Sequence, residues 1–228
     1  MDDRQTVTQD DGSRHDAGAV AAAPRHRRRP ALGLLFLGAI LLGGWALVSA
    51  HQRAQVVVWY DALPIDCGGE PAPIESLGDL EPSFLAILEA SPGLDCGLRI
   101  QVENRGRLPA TIAAVTLPWH GPATGASIRA TSLAPYGVLP LATTLGEPSL
   151  AASDAVFPLD VPLAVGEQVA LRLRLEFSPD GCMSPGALQW VEDAPTIDVS
   201  VVGLTGTRAP VGAVFAQRGT DASSCDSG

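Results

Sequence analysis

Residues 31–50, ALGLLFLGAILLGGWALVSA, run for twenty positions without a charged side chain. At about 1.5 Å per residue, a helix of that length reaches roughly 30 Å, the thickness of a bilayer's hydrocarbon core. The block holds seven Leu together with Phe36, Ile40 and Val48. At roughly −0.3 to −0.6 kcal/mol each, these residues favour insertion into lipid by about 3 to 6 kcal/mol. Such a segment either spans a membrane or serves as an export signal, and it is not expected as a core helix.

Arginines set the orientation. Arg25, Arg27, Arg28 and Arg29 crowd the N-terminal flank, and Arg53 is the one Lys or Arg in the twenty residues after the block. The positive-inside rule places residues 1–30 in the cytoplasm and sends the chain after the block across the plasma membrane. Trp45, Trp59 and Tyr60 fall around the outer boundary, where amphipathic rings favour the headgroup layer. Val48-Ser49-Ala50 supplies small residues for a signal peptidase, so a secreted protein cut after Ala50 is the alternative. Against it, the block exceeds the roughly 7 to 15 residues of a cleavable apolar region, and a thirty-residue polar segment precedes it. The expected division is therefore a disordered cytoplasmic tail (1–30), a transmembrane helix (31–52) and an extracytoplasmic domain (53–228).

Charge follows the same boundary. Residues 51–228 carry nine Arg against twenty Asp and Glu. A domain that acidic is a poor partner for nucleic acid, which selects basic surface. The chain has no Lys and a single Asn, Asn104, amid abundant Ala, Gly, Pro and Arg. That bias is expected of a GC-rich bacterial genome such as an actinobacterial one. All four cysteines, Cys67, Cys96, Cys182 and Cys225, lie on the exported side, where an even count reads as two disulfides. Three pairings are possible. The one joining sequence neighbours, Cys67–Cys96 and Cys182–Cys225, is expected, and the second pair would pin the Ser/Asp-rich tail.

Beyond the block the hydrophobic pattern has period two. Residues 98–103, 169–177 and 196–201 alternate apolar and polar, as strands do when one face covers a core and the other meets solvent. Further strands are expected at 55–60, 110–117, 127–131, 155–159, 187–191 and 210–217, with turns at 104–106, where residues tolerant of positive φ serve a tight reversal, and at 164–167. Residues 83–89 are expected as a short helix, 203–207 as a turn, and 61–95 and 118–165 as Pro/Gly-rich stretches with long loops. Many short strands with turns between them predict an all-β fold, an antiparallel β-sandwich.

The stretch LRIQVENRGRLPATIAAVTLP, residues 97–118 without its first glycine, resembles a strand-N-x-G-strand hairpin of bacterial immunoglobulin-like extracytoplasmic modules. The chain as a whole is similar to single-pass membrane proteins of actinobacterial type carrying such a domain. The resemblance implies a fold class and transfers no functional residue.

Chemistry-bearing motifs are sparse. The exported part holds two histidines, His51 at the membrane edge and His120 in a Pro/Gly loop, and no G-x-S-x-G turn presents a serine to either. Neither phosphate-cradling pattern is present. An envelope metallochaperone or assembly factor, whose layout resembles that of the cytochrome oxidase copper chaperones, would need a site from His120, Met183 or reduced cysteines. No closely spaced cysteine pair offers the soft thiolates such a site uses. Ala39, Gly43, Ala46 and Ala50 recur on one helical face, a stripe that lets two membrane helices approach and form a homodimer. The expectation is a non-enzymatic binding module of the cell envelope, without a cofactor, whose partner is an envelope protein or a cell-wall polymer.

Overall fold

The uncharged block is helical throughout. In the computed structural model, which describes residues 29–76, 84–136, 153–210 and 213–225, helix α1 runs Arg29–Ala54. It continues two residues past the expected end at 52, and its window of residues 33–54 has a mean hydropathy of 2.0 and is almost wholly exposed. The tail expected at 1–30 lies outside the described residues except for its last two positions. The chain divides into two units between Leu42 and Gly43, so the final turns of α1 belong to the same unit as the β domain.

That domain is built of strands β1 (Val56–Cys67), β2 (Glu70–Pro71), β3 (Ile74–Ser76), β4 (Phe84–Ala90), β5 (Asp95–Asn104), β6 (Ala110–Leu117), β7 (Ile128–Pro135), β8 (Ala155–Leu163), β9 (Gln168–Phe177), β10 (Leu188–Glu192), β11 (Thr196–Val201), β12 (Leu204–Arg208) and β13 (Ala213–Gly219), with a closing 3-10 turn at Asp221–Ser223. They form three sheets, in the orders β2-β1-β5-β9-β7, β12-β11-β6-β8 and β10-β13-β4-β3. Every pairing is antiparallel except β4 with β13, which run parallel with Phe215 opposite Ala86. The all-β class stands; in place of a purely antiparallel architecture there is a third, mixed sheet.

Alternation explains the core. In β9, Leu171, Leu173 and Leu175 are buried, and in β11 so are Ile197, Val199 and Val201. They join Leu98, Ile100 and Val102 of β5, Ile112, Val115 and Leu117 of β6, Phe157 of β8, Leu88 of β4 and Phe215 of β13 in one apolar cluster fed by all three sheets. A side chain of Leu size contributes roughly 1.5–3 kcal/mol when fully removed from water, so this cluster is the dominant favourable term of the fold.

Several expectations are corrected here. Residues 84–90 form strand β4 rather than the helix expected at 83–89. The strand lies between β13 and β3 with Leu85, Ala86, Ile87 and Leu88 all buried. A strand covered on both faces loses its alternation, and a short continuous apolar run does not separate strand from helix. In place of the turn expected at 203–207, residues 204–208 form β12, an edge strand reached through a two-residue reversal at Val202-Gly203. Both reversal residues have positive φ, +46° and +82°. The type of turn that matches strand twist requires this, and Asn-Gly usually supplies it where Val-Gly stands here. The stretches 61–95 and 118–165 hold the second half of β1 and all of β2, β3, β4, β7 and β8, while 77–83 and 137–152 lie outside the described residues.

The segment after β5 is also not a hairpin. β5 pairs with β1 and β9, β6 with β11 and β8, so Asn104-Arg105-Gly106 carries the chain from one sheet to another. None of the three residues has positive φ. Gly106 is needed for space instead, because a Cβ there would lie 2.9 Å from both Asn104 Oδ1 and Gln52 Oε1. The turn at 164–167 does form, with Gly166 at φ +76° and Glu167 N donating to Ala164 O at 3.1 Å.

Candidate binding cleft

After β6 the chain leaves its sheet through Pro118, Trp119 and His120, and it approaches β10, an edge strand of the mixed sheet. A shallow cleft of about 100 Å³ lies there, lined among others by Trp119, His120, Gln189, Trp190, Val191 and Glu192. Its rim is aromatic and open: Trp119 is 66% exposed and Trp190 42%. An indole buries a large apolar area when it is covered, so two exposed ones flanking one depression leave an unusual amount of aromatic surface open.

The backbone around this cleft is held in unfavourable conformations. Of the three non-glycine residues with positive φ among those described, two are here, Trp119 at +60° and Asp193 at +49°. Bulky residues in the left-handed region cost of order 1–3 kcal/mol each and persist where surrounding contacts enforce them. Those contacts are visible. Trp119 N donates to Asp154 Oδ1 at 3.0 Å, Gly121 N donates to Ser153 O at 2.8 Å, and Ala130 N donates to His120 O at 2.9 Å. On the other side, the Tyr60 hydroxyl donates to Ala194 O. Burial, with the Asp193 carboxylate nearby, raises the Tyr60 hydroxyl well above its ordinary pKa, so it stays a donor.

His120 forms the floor and is only 2% exposed. Its Nδ1 lies 2.5 Å from Pro118 O and its Nε2 lies 2.8 Å from Gln217 Nε2. An amide nitrogen only donates, so Nε2 accepts, and the ring proton sits on Nδ1 and is donated to Pro118 O. The Phe215 ring meets the imidazole edge-on at 6.1 Å. Burial lowers the imidazole below its ordinary pKa, which keeps it neutral. Both nitrogens are engaged in these hydrogen bonds, and the imidazole forms the buried floor of the cleft.

The other residues singled out in the sequence lie elsewhere. Cys67 is bonded to Cys96 and Cys182 to Cys225. The first pair links directly opposed residues of β1 and β5, and the second ties the chain after β9 to the carboxyl-terminal turn. Met183 N donates to Ser223 O at 2.7 Å beside that second bond. The donors a metal site would have drawn on are thus dispersed and engaged, and no group of three His, Cys, Asp or Glu is gathered for a metal among the described residues. Ala39, Gly43, Ala46 and Ala50 lie exposed along α1, with nothing within 4 Å of a Cβ placed on Gly43.

The last turns of α1 are fastened to the domain. Ser49 is fully buried, and its hydroxyl donates to Val201 O at 2.9 Å. Arg53 donates to Ser49 Oγ and to Leu204 O, both at 2.9 Å, and Arg208 Nε donates to Arg53 O at 2.8 Å. Gln52 Oε1 accepts from Arg107 N at 2.6 Å. Neither this dock nor the cleft was identified from the sequence. In the sequence, Trp119 and Trp190 carry no signal that joins them, and Ser49 figures only as part of a cleavage site.

Fold and contacts together define a class: a disulfide-bonded β domain continuous with an apolar helix long enough to cross a membrane. The sequence matches no protein-family model and no curated protein.

Proposed function

We propose that this chain is a single-pass protein of the plasma membrane, N-terminus inside, that displays an immunoglobulin-like β-sandwich as a non-enzymatic binding module of the cell envelope. Its contact surface is the Trp119–Trp190 cleft, and its ligand is a cell-wall polymer. The observation that carries this reading is the pair of exposed indoles, Trp119 and Trp190, on one rim, with the backbone left-handed at Trp119 and at the neighbouring Asp193. The depression is well below the roughly 300–1,000 Å³ of pockets that engulf small molecules, which favours a ligand lying across the surface. Sugar rings offer apolar faces to indoles and hydroxyls to the Gln189 amide and Glu192 carboxylate that line it. The sandwich reading draws support from five- and four-stranded sheets that share one core. The uncut anchor draws support from Ser49, whose buried hydrogen bond a cut after Ala50 would remove.

The test is co-sedimentation of the detergent-solubilised full chain with insoluble cell-wall polymer. Wild type is expected in the pellet, and Trp119→Ala/Trp190→Ala is expected to bind at least about tenfold more weakly, the loss of two aromatic contacts. Equal binding by both proteins removes the cleft as the site. Failure of wild type to bind, together with a protein crosslinked through this face in intact cells, replaces the polymer with a protein partner.

A further inference from the structure

The exported part of this chain is acidic, yet four of its nine arginines converge on one end of the domain. Arg53 sits on the last turn of α1, Arg105 and Arg107 on the turn after β5, and Arg208 at the end of β12. Hydrogen bonds hold them there. Arg208 Nε donates to Arg53 O at 2.8 Å, Arg105 N donates to Gln55 O at 3.1 Å, and Arg107 N donates to Gln52 Oε1 at 2.6 Å. A recess of about 540 Å³ opens between the helix end and this turn, lined by His51, Gln52, Gln55, Arg105, Gly106 and Arg107. Its lining contains no carboxylate and no apolar side chain.

The charges facing it are readily counted. Arg105 Nε is paired with Glu103 at 2.7 Å, and its guanidinium lies 5.9 Å from the Trp59 ring centre. Glu167, on the neighbouring turn, accepts from Ala164 N at 2.6 Å. Arg107 has no carboxylate partner among the described residues and is exposed. The carbonyl end of a helix carries partial negative charge, but here Arg208 already donates to Arg53 O in the last turn of α1, and Arg105 N donates to Gln55 O just beyond it. What remains is a donor-rich hollow with an uncompensated guanidinium, chemistry suited to an oxyanion.

Position supplies the ligand. The uncharged block ends at Ala50, and the lining begins at His51 and reaches Gln55. At about 1.5 Å per residue, those residues lie roughly 2 to 8 Å beyond the hydrocarbon edge, within the headgroup layer of a bilayer. We propose that this recess binds the phosphate of an anionic phospholipid headgroup in the outer leaflet, with Arg105 and Arg107 as its charged ligands and the Gln52 and Gln55 amides beside them. The lipid source rests on the membrane-anchor reading above; the oxyanion chemistry does not.

The experiment uses the full chain in mild detergent, equilibrated with an equimolar mixture of phosphatidylglycerol and phosphatidylcholine, and counts retained lipids by native mass spectrometry. Preferential retention of phosphatidylglycerol is expected, and Arg105→Gln/Arg107→Gln should reduce it by about tenfold or more, the loss of a charge-assisted contact. Arg174→Gln, which removes an arginine on β9 paired with Asp95, should leave retention unchanged. In a second arm, inorganic phosphate is titrated while fluorescence is followed in wild type and Trp59→Phe. A Trp59-dependent response without lipid preference assigns the recess to a soluble phosphate and overturns the lipid proposal. Equal loss in Arg174→Gln, or no effect of the double substitution, overturns the site. Carbonate extraction of the cell membranes from which the chain is purified reports separately on the anchor, so a released chain with His51 at its amino terminus is distinguished from a recess that binds nothing.

Discussion

Asn104, the one asparagine in the chain, is 1% exposed and makes every bond its amide allows in this setting. Its Nδ2 donates to Leu108 O at 2.9 Å and to Leu163 O at 3.1 Å, while its Oδ1 accepts from Gly106 N at 2.9 Å. Its backbone bonds Glu167 O and Gly166 N, so one residue joins the corner after β5 to the turn before β9. Truncation strands two buried backbone groups, Leu163 O and Gly106 N, and the part-buried Leu108 O, at about 1–3 kcal/mol for each buried one before relaxation. Asn104→Ala is expected to cost about 3 kcal/mol or more in chemical denaturation. His120 predicts a pH dependence. Its folded pKa is lowered, so below its ordinary value of 6.5 the unfolded chain takes up a proton that the folded chain refuses. Stability is therefore full above that value and falls as the pH drops below it, by up to about 1.4 kcal/mol per pH unit. Asp95 does not intrude, because its hydrogen bond to Arg174 lowers its carboxyl pKa and confines its effect to more acid pH. Thermal unfolding from about pH 7.5 to about pH 5.5 should show the decline in wild type and a flatter profile in His120→Gln. An equal slope in both proteins would count against the buried neutral imidazole.

At the scale of elements, the disulfides do different work. Cys67–Cys96 closes 29 residues within one sheet and Cys182–Cys225 closes 43 residues at the chain's end. Loop-closure entropy assigns each about 3 to 4 kcal/mol. For Cys182→Ser/Cys225→Ser the loss should be local as well, because Met183 and Ser223 bond across the same junction. Limited proteolysis is expected to cut the last residues of the double variant while wild type resists. What was legible in the sequence divides by physics along the same elements. β5, β9 and β11 cover the core on one face, so their period of two is written in the residues. β4 is buried on both faces and shows no such period. β12, at Leu204–Arg208, is a partly exposed edge with little apolar content, so nothing in its composition separates it from a turn. The helix was legible because length and composition alone mark an uncharged apolar block of that size. The cleft was not, since Trp119 and Trp190 are 71 positions apart and only the fold brings them to one rim. The arginines at the helix end were hidden for the same reason: the positive-inside rule counts charge near the span in sequence, while Arg105, Arg107 and Arg208 arrive there through folding.

At the scale of the whole molecule, the apolar helix α1 runs directly into the β domain, with only Gln55 between it and β1. Ser49 and Arg53 lock the end of α1 to Val201 and Leu204, so the domain is held directly by its helix rather than hanging from a linker. The most direct measurement is mass spectrometry of the native protein from fractionated cells, combined with protease applied to intact ones. The account predicts a chain found in the membrane fraction, with residues 31–50 still joined to the domain and the portion after His51 digested from outside. A soluble protein beginning at His51, or a carboxyl-terminal portion that survives external protease and is cut only after lysis, would contradict it.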